Sequence, residues 1–176
     1  DGELSAAPAD FRPRAGFLDD VLRFDALFFV ISPKEAELMD PQQRLVLEEG
    51  YRALEDAGYT RAALKGANAG VYVGCGNIDY GLYVRQRGVV DDPTLLTGNV
   101  SSILAARLSY ALDLSGPAVA VDTACSSALV SIHMACEALR QRSIDLALAG
   151  GVAVLNTPGF SLMAHRSGML GKGGQC

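Results

Sequence analysis

The sequence predicts an α/β fold in which helices cover both faces of a mainly parallel sheet. Short apolar runs have the length and composition of buried strands, and helical patterns lie between them. Strands that alternate with helices favour parallel pairing, because each crossover helix packs back onto one face of the sheet. No internal repeat or low-complexity tract divides the chain, so we predict one structural unit. We place the strands at 70–74, 117–121 and 144–155, and the helices at 40–57, 100–112 and after Cys125.

Asp40 and Pro41 mark the start of the first of these helices. Asp40 can act as a side-chain cap, Pro41 suits the first helical position, and Gln43 lies three residues after the cap, as in a capping box. Gly58 can adopt the left-handed backbone conformation that ends many helices. We therefore expect a helix that runs to about Ala57.

The first fifteen residues differ in composition from the rest of the chain. They are rich in alanine, proline and charged side chains and offer little apolar surface for a core. We predict a linker or coil over 1–15 and the ordered domain over 16–176.

Cys125 stands where the strand at 117–121 gives way to a helix. The residues after it repeat apolar side chains at three- and four-residue steps, which predicts a helix. We expect Cys125 to begin this helix on its buried side, at the mouth of a pocket at the sheet edge, with Ser126 and Ser127 in the first turn. The apolar stripe comprises Ala128, Leu129, Ile132, Cys136 and Leu139.

This position favours reactivity of the Cys125 thiol. Unpaired backbone N–H groups and the positive end of the helix dipole stabilise a thiolate, which is the nucleophilic form of cysteine. The strand, turn, nucleophile and helix follow one another as in a nucleophile elbow. A lone cysteine is also commonly a small buried hydrophobic residue. The local pattern alone leaves both interpretations open.

Composition and charge exclude several other classes of protein. Hydrophobic residues make up 49% of the 176 residues, yet no segment has the ~20 consecutive apolar residues of a membrane span. The net charge is −5, and lysine and arginine are scattered, which argues against nucleic-acid binding. The chain does not begin with a secretory signal, so we expect a reducing, cytoplasmic location without disulfides.

Neither a metal nor a tightly bound cofactor is predicted. The four cysteines form no C-x-x-C pair and have no histidine at metal-ligand spacing. Gly74-Cys75-Gly76-Asn77 follows a strand and suggests a dinucleotide-binding loop, but Gly81 comes too late for the third glycine. We interpret this segment as a turn of small residues in which Cys75 is structural. The cysteines are Cys75, Cys125, Cys136 and Cys176.

The segment 122–129, DTACSSAL, resembles the active-site signature of β-ketoacyl synthases, in the form found in modular type I polyketide synthases. Other segments resemble the same family in the same order, so that the resemblance covers about 16–176. It implies a thiolase-like layered α-β-α fold, of which this chain forms the N-terminal half. The further segments are 24–33 (FDALFFVISP), 39–45 (MDPQQRL), 53–58 (ALEDAG), 106–110 (ARLSY), 115–117 (SGP) and 149–152 (AGGV).

The resemblance implies a transferase that performs a decarboxylative Claisen condensation. Cys125 would accept an acyl chain from the phosphopantetheine thioester of an acyl carrier protein, and its own backbone N–H would be one donor to the oxyanion. The acyl chain would then pass to a malonyl-type extender. Two alternatives remain: a non-elongating ketosynthase that only transfers acyl groups, and a non-catalytic scaffold or dimerisation fragment.

The family's two catalytic histidines and its active-site lysine come from motifs beyond the region that resembles this chain. His133 lies about 12 Å along the helix from Cys125, and His165 matches no catalytic motif, so neither is assigned a role. We therefore expect a partial domain that is inactive in isolation and needs the remaining half. The resemblance also implies a homodimer paired through the strand Ala118–Val121.

Two positions depart from the family pattern without touching the nucleophile. Val30 stands where the family commonly has glycine, and the segment 171–174 replaces a turn similar to Ser-Pro-Asp-Gly. These departures leave the acyl substrate open.

Overall fold

A computed structural model describes residues 8, 10–11, 14–89 and 91–171. Within this part of the chain, helices and strands alternate as the sequence predicts. The helices are α1 (Pro33–Leu38), α2 (Pro41–Asp56), α3 (Arg61–Leu64), α4 (Tyr80–Gln86), α5 (Thr94–Gly98), α6 (Ser101–Ala111), α7 (Ser127–Arg140) and α8 (Gly159–Arg166). The strands are β1 (Ala69–Gly74), β2 (Ala118–Val121) and β3 (Leu146–Gly151), and a 3₁₀ turn spans Ala124–Ser126.

The three described strands form one parallel sheet in the order β2-β1-β3. Val71 pairs with Ala118 of β2 on one side and with Leu148 of β3 on the other. Gly74, the last residue of β1, pairs with both Val121 and Gly151. The predicted parallel sheet is confirmed, and the carboxyl ends of all three strands meet at one edge.

Alternate side chains of β1 enter two different layers, as the two-residue period of a strand requires. Val71 and Val73 belong to the main core, which α2 and α6 supply with fully buried leucines. Tyr72 points to the opposite face and packs in a second cluster with Ala135 of α7 and with Ile144. Helices therefore cover both faces of the sheet, which gives the α-β-α layering.

The helix α2 begins as predicted, but Gln43 does not complete a capping box. The Asp40 carboxylate accepts a hydrogen bond from the Gln42 backbone N–H at 2.8 Å, and Pro41 is the first helical residue. The Gln43 amide instead donates to the carbonyl oxygens of Thr97 and Val100. The Gln43 side chain is 1% exposed, and its amide connects α2 to the last turn of α5 and to the residue before α6 rather than capping its own helix.

The strand predicted at 144–155 is shorter than expected. It covers Leu146–Gly151, because its partner β1 ends at Gly74, opposite Gly151. Beyond that point the Val152 N–H donates to the Gly74 carbonyl at 2.9 Å, and the chain leaves the sheet. The pattern of apolar residues continues past the last available pairing position, so it overestimates the strand.

Most of the predicted linker 1–15 lies outside the described residues. Phe11 is 6% exposed, and its ring contacts that of His165 with centroids 5.4 Å apart. The domain boundary after residue 15 stays a prediction. The described helices include none that is long and apolar enough to cross a bilayer.

Candidate active site at the carboxyl edge of the sheet

Cys125 lies in the loop after β2, at the edge where the three described strands end. In open parallel sheets this edge is where ligands bind, since the loops there converge around a crevice. The turn Ala124–Ser126 carries the cysteine, and α7 begins directly after it at Ser127. The predicted junction of strand, turn and helix is confirmed, with Cys125 two residues before the helix.

The backbone of this turn is strained. Ala124 has φ +54°, a left-handed conformation that costs a non-glycine residue about 1–2 kcal/mol. Asp122 supports the turn by accepting a hydrogen bond from the Ala124 N–H at 3.0 Å. Such strain persists only where the surroundings hold it, and it commonly occurs at functional sites.

Ser127 holds the other side of the same turn. Its hydroxyl accepts a hydrogen bond from the Thr123 N–H at 2.8 Å and donates one to the Ala124 carbonyl at 2.7 Å. The Ser126 hydroxyl donates to the Thr123 carbonyl at 2.8 Å. Both serines of the first turn therefore serve the loop that presents Cys125.

Two glycines let α7 approach the sheet closely. A Cβ added to Gly74 would meet backbone atoms of Ser127 and would lie 2.5 Å from the Ala128 nitrogen. A Cβ added to Gly151 would lie 2.6 Å from that of Ala128. The ends of β1 and β3 thus fix where the first turn of α7 rests, and with it the position of Cys125.

The prediction that Cys125 begins α7 on its buried side is wrong. Cys125 is exposed, and so are Leu129 (73%) and Ile132 (43%) of the predicted apolar stripe. The face of α7 that contacts the sheet carries small side chains instead, Ser127, Ser131 and Ala135. The reason is the close approach at the two glycines, which leaves no room for leucine or isoleucine between helix and sheet.

The pocket predicted at Cys125 stays a prediction. Three cavities stand out among the described residues, with volumes of about 950, 630 and 360 Å³, and Cys125 is not among the lining residues of these three. The first lies beside Val30 and the edge strand β2, and the second beside Tyr80 and Leu155. Cys125 is exposed to solvent.

The comparison with known families decides the identity of the fold. The family described as "Beta-ketoacyl synthase, N-terminal domain" matches residues 4–176. The chain belongs to this family. The Cys125 turn lies within the matched residues.

Curated relatives of this ketosynthase segment are polyketide synthases. Polyketide synthase PksL of Bacillus subtilis (strain 168) is 48% identical over 161 residues, which cover 92% of this chain and 4% of that protein. Polyketide synthase GfsB of Streptomyces halstedii is 48% identical over 160 residues, or 91% of this chain and 3% of that protein. The chain therefore spans only a small part of the relatives it matches.

Solved ketosynthases have the same fold. The ketosynthase from module 6 of the bacillaene synthase from Bacillus subtilis 168 matches with a TM-score of 0.82 and 48% identity, over 92% of this chain and 27% of that chain. The oxazolomycin ketosynthase domain OzmH KS7 of Streptomyces albus JA3453 matches with a TM-score of 0.79 and 39% identity, over 88% of this chain and 27% of that chain. The thiolase-like fold is confirmed for the N-terminal portion of a ketosynthase domain.

The other cysteines and the histidines lie in different surroundings. Cys75 is 2% exposed, and burial raises the pKa of its thiol, as do the nearby charges of Asp122 and Asp40. This agrees with a structural role for Cys75. His133 is exposed on α7, whereas His165 contacts Asp10 at 3.4 Å. Within the described residues no cluster of histidine, cysteine and carboxylate groups could hold a metal ion.

The backbone conformation at Val30 explains why the family commonly has glycine at this position. The φ of Val30 is +59°, and its side chain is 84% exposed. Glycine adopts this left-handed conformation freely, whereas a β-branched residue does so only under strain. The common glycine at this position therefore has a backbone reason, which the sequence alone did not reveal.

Sequence reasoning missed two buried polar side chains near the carboxyl edge of the sheet. Asp79 is 5% exposed and Gln42 is fully buried, and each is hydrogen-bonded to the segment that follows β3. The sequence indicates Gln42 only as part of a helix start. The sequence does place the acidic Asp79 shortly after β1 and the polar pair Asn156-Thr157 shortly after β3. Because segments that follow parallel strands meet at the same edge, this pattern could have predicted their contact.

Proposed function

We propose that this chain is the nucleophile-bearing part of an elongating polyketide ketosynthase. The observation that carries the proposal is the exposed Cys125, held in a strained, hydrogen-bonded turn at the carboxyl edge of the sheet. A structural cysteine has no need of such a turn, and the other described cysteines lack one. The family and the named relatives support acyl transfer by a ketosynthase as the class of reaction that Cys125 performs.

In the first step the Cys125 sulfur attacks the carbonyl carbon of an acyl-phosphopantetheine thioester. A new carbon–sulfur bond forms, the bond to the phosphopantetheine sulfur breaks, and that thiol leaves with a proton. The developing oxyanion needs hydrogen-bond donors. We propose the Cys125 backbone N–H, in the turn before α7, as one of these donors.

In the second step a malonyl-type extender loses CO₂ and its carbanion attacks the Cys125 thioester. The new carbon–carbon bond replaces the carbon–sulfur bond and restores the thiol. We propose that two histidines and a lysine from the remaining half of the domain support this step. The exposed Leu129 and Ile132 of α7 support this view, because further residues are needed to cover such an apolar stripe.

A homodimer through β2 is part of the proposal. Within the described sheet β2 is an edge strand that pairs with β1 alone. Unpaired edge strands readily accept a further strand. A cross-linked dimer in which Ala118–Val121 stays accessible to solvent would contradict this arrangement.

We propose an acyl carrier protein as the partner that delivers the substrate, and the cytoplasm as the location. A reducing compartment would keep the Cys125 thiol free for acylation. The isolated chain is expected to be inactive in condensation, because groups for the second step come from elsewhere.

Acyl loading followed by peptide mapping tests the assignment. The complete ketosynthase domain is incubated with an acyl thioester of phosphopantetheine, and the peptides are analysed by mass spectrometry. We expect the acyl mass on the peptide with Cys125 and its loss in Cys125→Ser. A label on Cys75 or Cys136 that persists in Cys125→Ser would overturn the assignment, and acylation without condensation would indicate the non-elongating alternative.

A further inference from the structure

The Asp79 carboxylate is a buried acceptor for one short segment of the chain. One oxygen accepts hydrogen bonds from the Asn156 backbone N–H at 3.1 Å and from its side-chain amide at 2.8 Å. The other accepts from the Thr157 N–H at 2.9 Å and from its hydroxyl at 2.8 Å. Four donors from two consecutive residues therefore converge on a side chain that is 5% exposed.

Gln42 makes a second connection between the same two loops. Its side-chain amide donates to the Asn77 carbonyl at 2.8 Å, and its side-chain oxygen accepts from the Val154 N–H at 3.3 Å. Asn77 belongs to the loop after β1, and Val154 to the segment after β3. Both loops are thus joined through a fully buried side chain of α2.

The carboxylate of Asp79 is not used for the helix that it precedes. Asp79 stands at the start of α4 but makes no side-chain hydrogen bond to it. Burial raises the pKa of Asp79, yet the hydrogen bonds from Asn156 and Thr157 outweigh this and leave the pKa lowered. The site is therefore arranged to hold the charged carboxylate against the segment after β3.

The end of β3, directly before this segment, contacts the helix α7 that follows Cys125. The Ser131 hydroxyl of α7 donates to the Gly150 carbonyl at 2.8 Å, and Gly151 packs on Ala128. Residues 152–157 thus directly follow two residues that are held on α7, and their far end is held by Asp79.

We propose that Asp79 is a positioning residue, which holds residues 152–157 as one wall of the site where the acyl thioester reaches Cys125. This inference rests on the proposed function and names what keeps the wall in place. Asp79 acts through the segment and does not itself contact the reacting atoms.

Asparagine is a sharp probe of this role because it has the shape of aspartate but one acceptor fewer. Each Asp79 oxygen faces two donors, so either orientation of the introduced amide would direct its NH₂ group at two of them. Asp79→Asn therefore weakens the contacts to either Asn156 or Thr157.

The experiment uses the complete ketosynthase domain and two probes of Cys125. Alkylation by iodoacetamide reports the reactivity of the thiol alone. Acylation by butyryl-pantetheine at varied concentration also reports how well the site binds the thioester. In Asp79→Asn we expect the half-saturating concentration for acylation to rise about tenfold, with alkylation within about twofold of the parent. Asp92→Asn is the matched control, since Asp92 also accepts two hydrogen bonds from one threonine but lies before α5.

The outcomes separate this inference from the proposed function. If the parent is not acylated on Cys125, the result contradicts both the proposed function and the inference about residues 152–157. If the parent is acylated and Asp79→Asn shows the parent's half-saturating concentration, only the inference is overturned. An equal loss of alkylation and acylation in a folded protein would assign Asp79 a merely structural role and overturn it as well. Should Asp79→Asn fail to fold, Thr157→Val removes one hydroxyl contact and decides the question by the same two measurements.

Discussion

Gly151 at the end of β3 is in contact with Ala128 in the first turn of α7, so closely that a Cβ on Gly151 would lie 2.6 Å from the Ala128 Cβ. This contact sets the height of α7 above the sheet. Because the Cys125 turn immediately precedes α7, the contact also determines the position of Cys125.

Gly151→Ala should therefore destabilise the domain and displace Cys125. Insertion of a methyl group into such a contact costs about 1–3 kcal/mol, and we expect this loss in urea-induced unfolding of the complete ketosynthase domain. The acylation rate of Cys125 should fall as well. Gly150→Ala is the matched control, because a Cβ there meets no atom within 4 Å. Equal effects of the two substitutions would contradict the role of the contact.

Ser127→Ala should impair Cys125 more than it impairs the fold. The substitution removes the hydroxyl that joins the Thr123 N–H to the Ala124 carbonyl, so the strained turn loses two hydrogen bonds that stabilise it. We expect a loss of about 1 kcal/mol in stability for each buried hydrogen bond that is broken, together with slower acylation of Cys125. Both quantities can be measured on one preparation.

Ser131→Ala provides the comparison for this prediction. Ser131 lies one turn further along α7, and its single hydroxyl proton is shared between the Ala128 and Gly150 carbonyls, so it does not touch the Cys125 turn. It should lose similar stability while it keeps more of the acylation rate. If Ser131→Ala slowed acylation as much as Ser127→Ala, the hydrogen bonds of Ser127 would have no specific effect on Cys125.

Val30→Gly should stabilise the protein. The left-handed conformation at Val30 costs a non-glycine residue about 1–2 kcal/mol, and the exposed side chain contributes little burial in return. The greater flexibility of glycine in the unfolded chain offsets part of this gain. Thermal unfolding should show a higher midpoint for Val30→Gly than for Val30→Ala, which keeps the Cβ. A midpoint for Val30→Gly below that of the parent would mean that contacts of the valine side chain outweigh the strain.

Asp40 should make stability depend on pH in the direction opposite to Asp79. Burial raises the pKa of Asp40, and the charge of Asp79 adds to this, while the Gln42 N–H and Arg44 act against it. The folded protein therefore binds a proton at Asp40 more readily than the unfolded chain does. Its favourable contribution is fully present below the unfolded pKa and is lost as the pH rises through the raised folded pKa.

Asp40→Asn tests this sign. The amide oxygen can still cap α2 through the Gln42 N–H, but no charge has to be buried at neutral pH. We expect the variant to gain stability over the parent at pH 7, and to lose that advantage as the pH falls through the raised pKa of Asp40 to the usual carboxyl value. Asp40→Ala, which removes the cap as well, should be about 1 kcal/mol less stable than Asp40→Asn. A constant difference between Asp40→Asn and the parent over this pH range would contradict the prediction.

Local patterns predicted the elements whose signals lie within a few residues. The start of α2 at Pro41, its end before Gly58 and the turn at Cys125 all depend on backbone hydrogen bonds and allowed backbone conformations close by. The short helices α1, α3, α4 and α5 were not predicted, because few residues cannot show a helical period. The end of β3 was misplaced because its length depends on β1, which is distant in sequence.

The amino-acid sequence by itself determined the α/β class, the parallel sheet and the location of Cys125 between strand and helix. These follow from periodicity and from residues that cap or turn the chain locally. Only the tertiary structure decided which face of α7 is buried, that Asp79 and Gln42 hold the segment after β3, and that Val30 is strained. The physical reason is that Gly74 and Gly151 bring α7 against the sheet, and such close approach and long-range hydrogen bonding join residues that no local pattern connects.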